Sequence, residues 1–271
     1  MNYINQHTHT IYSPDAYPDA TIENYINEAK KLSQNGLMFT DHVDIDSPVP
    51  MFFHYSNYDQ YFAQIKELQK TTSIPLYTGV EIGYQPKSRE TINTFINTYP
   101  FDLVICSIHV ADGLDFYYGD FFNNKTTEES IKRYFEVVLD TVENFNNYDI
   151  FGHIDYITRY IKEIDDYDFS QHQEIITKIL KTIIKNNKGI ELNTSKGYQQ
   201  LFPTFKLLKL YKELGGTYLT IGSDAHTPSK LQQNFQYALR VAKQAGFDNI
   251  YIYQKRTPVA VSIDQLLIEE N

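Results

Sequence analysis

Short apolar runs alternate with longer segments whose apolar residues recur at helical spacing, from one end of the chain to the other. The runs are 2–10 (NYINQHTHT), 36–40 (GLMFT), 75–83 (PLYTGVEIG), 101–109 (FDLVICSIH), 148–153 (YDIFGH), 188–193 (KGIELN) and 217–223 (TYLTIGS). Helix-like segments lie between and after them at 20–34, 57–70, 88–97, 127–146, 169–185, 203–214 and 229–245. In the first, Ile22, Ile26, Ala29 and Leu32 mark one face, and Asn35-Gly36 reads as its C-cap. Strict alternation implies parallel strands joined by right-handed crossovers. A further run at 249–253 (NIYIY) is open as an eighth strand or an edge appendage. There is no Pro/Ser-rich linker, low-complexity segment or internal repeat beyond the alternation, so one domain over 1–271 is expected. Seven or eight units favour an α/β TIM-like barrel over an open doubly wound sheet. The G-x-G-x-x-G and G-x-x-x-x-G-K-[ST] phosphate loops are both absent, which also points away from a nucleotide fold.

Composition narrows the function. No run reaches the roughly 18 apolar residues a membrane span needs. No basic region followed by an apolar core opens the chain, so no secretory leader is expected. Cys106 is the single cysteine, which excludes an internal disulfide framework and fits a reducing cytoplasm. A formal charge of −10 argues against a general polyanion-binding surface.

Chemistry in such a barrel collects where strands end and loops begin, and there the chain repeatedly places histidine or carboxylate. His7 and His9 close the first run; read as a regular strand, it puts them on one face with Tyr3 and Asn5. His42, Glu81, His109 and His153 end the next four, and Asp224 and His226 follow the last. Six of the eight histidines sit at these ends, whereas core or surface histidines would not favour one rim. With Asp15 there are nine potential ligands, more than one ion can use, and Glu81 is the natural bridge between two. Two or three divalent metals follow. His54 and His172 fall outside the pattern and read as packing or surface residues. Cys106 reads as buried core.

The motifs H-x-H-T (7–10), TDH (40–42), GVEIGY (79–84), SIHVADGLDF (107–116), GHIDY (152–156), ELNTS (191–195) and GSDAH (222–226) occur in this order. Together they resemble the PHP (polymerase and histidinol phosphatase) superfamily, and within it the histidinol-phosphatase branch. The resemblance implies a distorted (β/α)7 barrel with a trinuclear site at its carboxyl rim. The first ion would take His7, His9, Glu81 and Asp224; the second would share Glu81 and add His109 and His153; the third would take Asp15, His42 and His226. Relatives commonly carry histidine in place of Asp15, and continue ELNTS with Gly-Leu-Arg where this chain reads Ser195-Lys196-Gly197. Zn, Fe and Mn all accept such mixed ligands.

The implied reaction is hydrolysis of L-histidinol phosphate, a small metabolite, to L-histidinol and phosphate in histidine biosynthesis. A hydroxide bridging the first two ions would attack phosphorus in line. Glu81, His109, Asp224 and His226 are the expected catalytic set. Asp224, His226 or a metal-bound water would protonate the leaving alkoxide. Arg159 and Lys196 are the candidate phosphate-binding cations, and Asp41, Asp44 and Asp155 the candidates to orient imidazoles. Tyr117 and Tyr118 would stack on an imidazole substrate or pack a loop. The rival readings are a PHP phosphoesterase for another metabolite, a nuclease or proofreading module, and a metal-storage barrel. The acidic charge disfavours nucleic acid.

Overall fold

A computed structural model describes residues 3–52, 55–161 and 169–268. Each of the seven runs yields a strand. The order is β1 (Ile4–Asn5), β2 (Gly36–Phe39) with a continuation β3 (His42–Val43), β4 (Leu76–Gly83) and β5 (Leu103–Ser107). There follow the hairpin β6 (Val110–Ala111) and β7 (Leu114–Asp115), then β8 (Ile150–Phe151), β9 (Gly189–Gly197) with an antiparallel return β10 (Gln200–Phe202), and β11 (Leu219–Gly222). The helices are α1 (Ile22–Lys31), α2 (Tyr58–Gln69), α3 (Arg89–Thr98), α4 (Thr127–Asn144), α5 (Gln173–Lys185), α6 (Phe205–Glu213) and α7 (Phe235–Gln244).

Parallel pairing runs β1-β2-β4-β5-β8-β9-β11. The ring then closes on itself: Asp224 N–H donates to His7 O at 2.8 Å, and His9 N–H to Ala225 O at 2.9 Å, around a parallel bridge between Thr8 and Ala225. The result is a distorted (β/α)7 barrel, with the strands' carboxyl ends converging on one rim.

Local chemistry sets the element ends. A reciprocal capping box between Thr126 and Glu129 starts α4, and the Thr21 and Asn57 side chains cap α1 and α2. Helix α1 stops earlier than Asn35-Gly36 suggested: Leu32 is its C-cap and Ser33 takes the left-handed turn at φ 53°. Gly36 instead opens β2, where a Cβ would lie 2.9 Å from the Ile4 side chain. Helix α7 begins later than residue 229, because Pro228–Lys230 forms a 3-10 turn first.

The main core lies between the sheet and its helices. Outward strand residues such as Leu37, Phe39, Val80, Val104, Cys106 and Ile190 pack there with the apolar helix faces. A second, smaller cluster fills the barrel's amino-terminal end with Ile4, Met38, Leu103, Ile105 and Ile150. The 249–253 run resolves as the appendage, not an eighth barrel strand. It forms β12 (Asn249–Gln254), paired antiparallel with β13 (Thr257–Ser262), and Ile252 and Tyr253 plug the barrel floor.

Arg256 at the ribbon turn bonds Asp149 Oδ2 at 2.9 Å and Asn147 Oδ1 at 2.9 Å. Arg256→Ala leaves buried Asp149 without its cation and is expected to lower the unfolding free energy by about 2 kcal/mol. It should show as a lower urea midpoint with unchanged kcat, since the floor is at the end of the barrel opposite the histidine rim.

Candidate metal centre

The first strand does not run regularly to its histidines. Tyr3 faces outward and stacks on Phe235 of α7 at 3.6 Å, and Asn5 bonds Leu231 O and Ser223, while Ile4 points into the barrel. A bend at Gln6 then shifts the alternation, so that His7 and His9 face inward. They therefore do not share a face with Tyr3 and Asn5. Gly222 lies behind them on β11; a Cβ there would collide with the Glu191 carboxylate and His7 Cβ.

All nine expected ligands converge on the rim, with Glu81 at the centre. Its Oε2 lies 3.3 Å from His7 Nε2, 3.5 Å from His9 Nε2 and 3.0 Å from His42 Nδ1. Its Oε1 lies 2.9 Å from His153 Nε2 and 3.4 Å from His109 Nε2, and accepts a bond from Ser107 Oγ at 2.6 Å. Asp224 Oδ1 is 3.1 Å from His9 Nε2 and 3.7 Å from His7 Nε2. Asp15 Oδ2 is 3.2 Å from His226 Nε2 and 3.7 Å from His42 Nε2. His7 Nε2, His9 Nε2, His42 Nδ1 and Glu81 Oε2 are all buried, and despite these short approaches none makes a well-aligned hydrogen bond. Four lone-pair donors orphaned at one point suit cations and little else.

Three triads have ligand atoms within 4.8 Å of one another: His7/His9/Asp224, His42/Glu81/His109 and His9/His42/His226. Only the first falls within a single ligand set implied by the resemblance. The two Glu81 oxygens divide between Oε1, which faces His109 and His153, and Oε2, which faces His7, His9 and His42. His42 is the nearest to Oε2, at 3.0 Å, and is a residue the resemblance gives to the third set. A carboxylate that presents a separate oxygen to each group is well placed to be shared between two ions.

Outer partners fix the ring orientations. Glu191 Oε1 accepts from His7 Nδ1 at 2.6 Å, and Asp44 Oδ1 from His109 Nδ1 at 2.8 Å. Ser13 Oγ accepts from His9 Nδ1 at 3.0 Å and donates to Asp41 Oδ1 at 2.7 Å. With Nδ1 carrying the proton in each, Nε2 is left as the donor atom. Asp44 thus contacts an imidazole directly and Asp41 acts through Ser13. Asp155 does neither: its carboxylate accepts the Thr204 N–H at 2.8 Å, tying the β8 loop to the start of α6. Ser13 was missed from sequence, and Glu191 was legible there only as a less obvious strand-end candidate without a role. The only signal for Glu191 was its place near the end of the 188–193 run.

The electrostatics are those of a salt cluster. Burial alone would lift Glu81 and Asp224, but the facing histidines hold both well below the usual carboxylate range. Burial alone would lower His7, His42 and His109; the surrounding carboxylates instead raise all three, His42 to about 9. His9 is driven well below its usual value by burial and by His226 and His42.

A cavity of about 770 Å3 opens over the cluster. Arg159 lines it, 3.9 Å from Asp224 Oδ2 and stacked on Tyr156 and Phe202. Lys196 does not line it; its Nζ lies over the Phe202 ring at 5.3 Å. Lys230, unflagged in the sequence, does. His172 is buried away from the rim beside Phe135 and pairs with Glu128 at 3.0 Å. His54 lies outside the described residues. Cys106 is core, its thiol pushed well up by burial. Among the described residues no helix is long and apolar enough to cross a membrane.

A family model for the PHP domain matches residues 5–195. The chain belongs to the PHP domain family. Within it, a histidinol-phosphatase of Lactococcus lactis subsp. lactis is 32% identical over 264 residues, covering 92% of this chain and 94% of the relative. A probable histidinol-phosphatase of Clostridium acetobutylicum is 32% identical over 256 residues, 92% of this chain and 96% of the relative. The crystal structure of the L. lactis histidinol phosphate phosphatase with zinc, L-histidinol and phosphate superimposes with a TM-score of 0.83 at 30% identity. It covers 94% of this chain and 98% of that one. This PHP barrel therefore has the expected fold, and its rim offers residues suited to metal ions.

Proposed function

We propose that the protein is a metal-dependent phosphomonoesterase that hydrolyses L-histidinol phosphate to L-histidinol and phosphate. The observation that carries the reading is the buried Glu81 carboxylate at the centre of the cluster, with His7, His9 and His42 around one oxygen and His109 and His153 around the other. It is supported by relatives of that activity along nearly the whole chain and by a similar structure holding histidinol and phosphate.

Two or three divalent ions, drawn from zinc, iron and manganese, would be held by His7, His9, Glu81 and Asp224, by Glu81, His109 and His153, and by Asp15, His42 and His226. Bound there, such ions acidify water to a nucleophile near neutral pH and neutralise phosphoryl charge. The chain's own groups do the rest. Glu81 sets the spacing of the site. Arg159, its planar fork pinned by two aromatic rings, holds phosphoryl oxygens bidentately. Asp224 Oδ2 accepts from Ser195 Oγ at 3.0 Å and Oδ1 faces His9, while both His226 nitrogens face oxygens of Asp15 and Asp224. Both side chains are thus engaged within the cluster, and we take a water in the cavity as the acid that protonates the leaving alkoxide. We take residues 1–271 as one cytoplasmic domain without a nucleic-acid partner, in line with the net charge and the ribbon that plugs the barrel floor.

The test is kcat/KM for L-histidinol phosphate against a panel of sugar and amino-acid phosphates. A preference of about a hundredfold or more is expected where a charged substrate group is read by the site. Comparable values across the panel would remove the histidinol assignment and leave only the phosphoesterase. Arg159→Ala is expected to raise KM by about tenfold and lower kcat by less; an unchanged KM contradicts the clamp.

A further inference from the structure

Five carboxylates line the cavity, and four of them are committed to histidines. Asp15 is 3.2 Å from His226, Asp44 2.8 Å from His109, Glu81 2.9 Å from His153 and Asp224 3.1 Å from His9. The fifth, Asp115, has no such partner: among the described residues no lysine, arginine or histidine pairs with it. It is only 9% exposed. It stands at the end of the β6–β7 hairpin, where its Oδ1 accepts the Tyr118 N–H at 2.8 Å. The next residue, Phe116, is buried edge-on against Phe121 and Tyr134 and holds the hairpin in place. Tyr117 and Tyr118 also line the cavity, exposed and edge to face at 5.3 Å.

A buried carboxylate without a cation is costly, and its cost is relieved when a ligand brings one. Aromatic rings in the same cavity wall add to the attraction for an organic cation. The cavity's own cations, Arg159 and Lys230, come from the loops after β8 and β11, whereas Asp115 and the two tyrosines come from the loop after β5. The walls are thus charged oppositely, as suits a ligand with phosphate at one end and a protonated nitrogen at the other.

We infer that Asp115 is the specificity-determining residue that takes the cationic nitrogen of the substrate's alcohol portion, with Tyr117 and Tyr118 of the same loop beside it. This rests on the function proposed above and names the part of the substrate that the metal rim cannot read. Chemistry at phosphorus does not involve Asp115, so its removal should act only on substrates that carry the cation.

The experiment measures kcat/KM for L-histidinol phosphate and for 4-nitrophenyl phosphate, which has no cation, in wild type, Asp115→Asn and Asp115→Ser. Asn keeps the oxygen that accepts the Tyr118 N–H and loses only the charge. A loss of about tenfold to a hundredfold on L-histidinol phosphate, chiefly in KM, is expected, with the aryl phosphate unchanged within about twofold. A wild-type preference for L-histidinol phosphate that both variants retain overturns the role of Asp115 alone. Equal losses on both substrates mean a structural role and overturn it as well. A wild-type enzyme with no preference overturns the functional reading and the subsite with it.

Discussion

Glu81→Gln is expected to lower kcat/KM by about a thousandfold or more and to reduce the bound metal by at least one equivalent. The amide has nearly the carboxylate's shape but neither its charge nor two acceptor oxygens. Whichever way it is turned, one end presents N–H to nitrogens that the carboxylate served as an acceptor: His7, His9 and His42 around Oε2, or His109 and His153 around Oε1. Removing a partner that merely orients a ligand typically costs ten- to a hundredfold, roughly, so the loss of a group shared by two ligand sets should exceed that. The checks are metal content by mass spectrometry of the purified protein and phosphate release from L-histidinol phosphate. Full activity with unchanged metal content would sink the central role given to Glu81.

The second large effect is on stability against pH, and it should reverse sign with metal. In metal-free protein, His42 titrates near 9, raised by Asp15, Glu81 and Asp44 against the lowering effect of burial. Its contribution is complete below the ordinary imidazole pKa of about 6.5 and is lost as pH rises through about 9, on the order of 3 kcal/mol. His7 and His109 are raised too and act in the same direction. Glu81 and Asp224 are depressed, so they contribute above the ordinary carboxylate pKa of about 4 and lose that contribution in acid. His9, driven well below its usual value, works the other way and costs stability as pH falls under about 6.5. Metal-free protein should therefore be most stable toward the upper end of the range between roughly pH 4.5 and 6.5. Metal-loaded protein needs neutral imidazoles, so protons compete with the ions and affinity grows with pH. Thermal melts with and without chelator at acid, neutral and alkaline pH should show a Tm gap that widens upward. A metal-free protein more stable at pH 9 than at pH 6 would contradict the cluster's electrostatics.

Much of the site was legible because strand ends are legible. TDH, GVEIGY, SIHVADG, GHIDY and GSDAH each carry their candidate ligand at the point where apolar periodicity stops, and a parallel barrel gathers those points at one rim. The inner partners were harder to read. Glu191 looked like a strand-end carboxylate without a role until the bend at Gln6 turned His7 toward it. Asp155 looked like an imidazole partner by its place beside His153, yet its carboxylate went to a backbone N–H in another segment. Lys196 had the right charge and position in its motif, but the cavity wall passes it by, and Lys230 stands there instead.

By itself the sequence determined the α/β alternation, the seven runs that become barrel strands and which histidines and carboxylates would cluster, because each depends on local periodicity and on residue type. Tertiary structure alone decided that the last run would plug the floor instead of joining the ring, which oxygen of Glu81 faces which histidines, and that Asp115 is left without a cation. Those outcomes depend on distances between residues far apart in the chain. Ring closure sets them, and no stretch of sequence carries that information on its own.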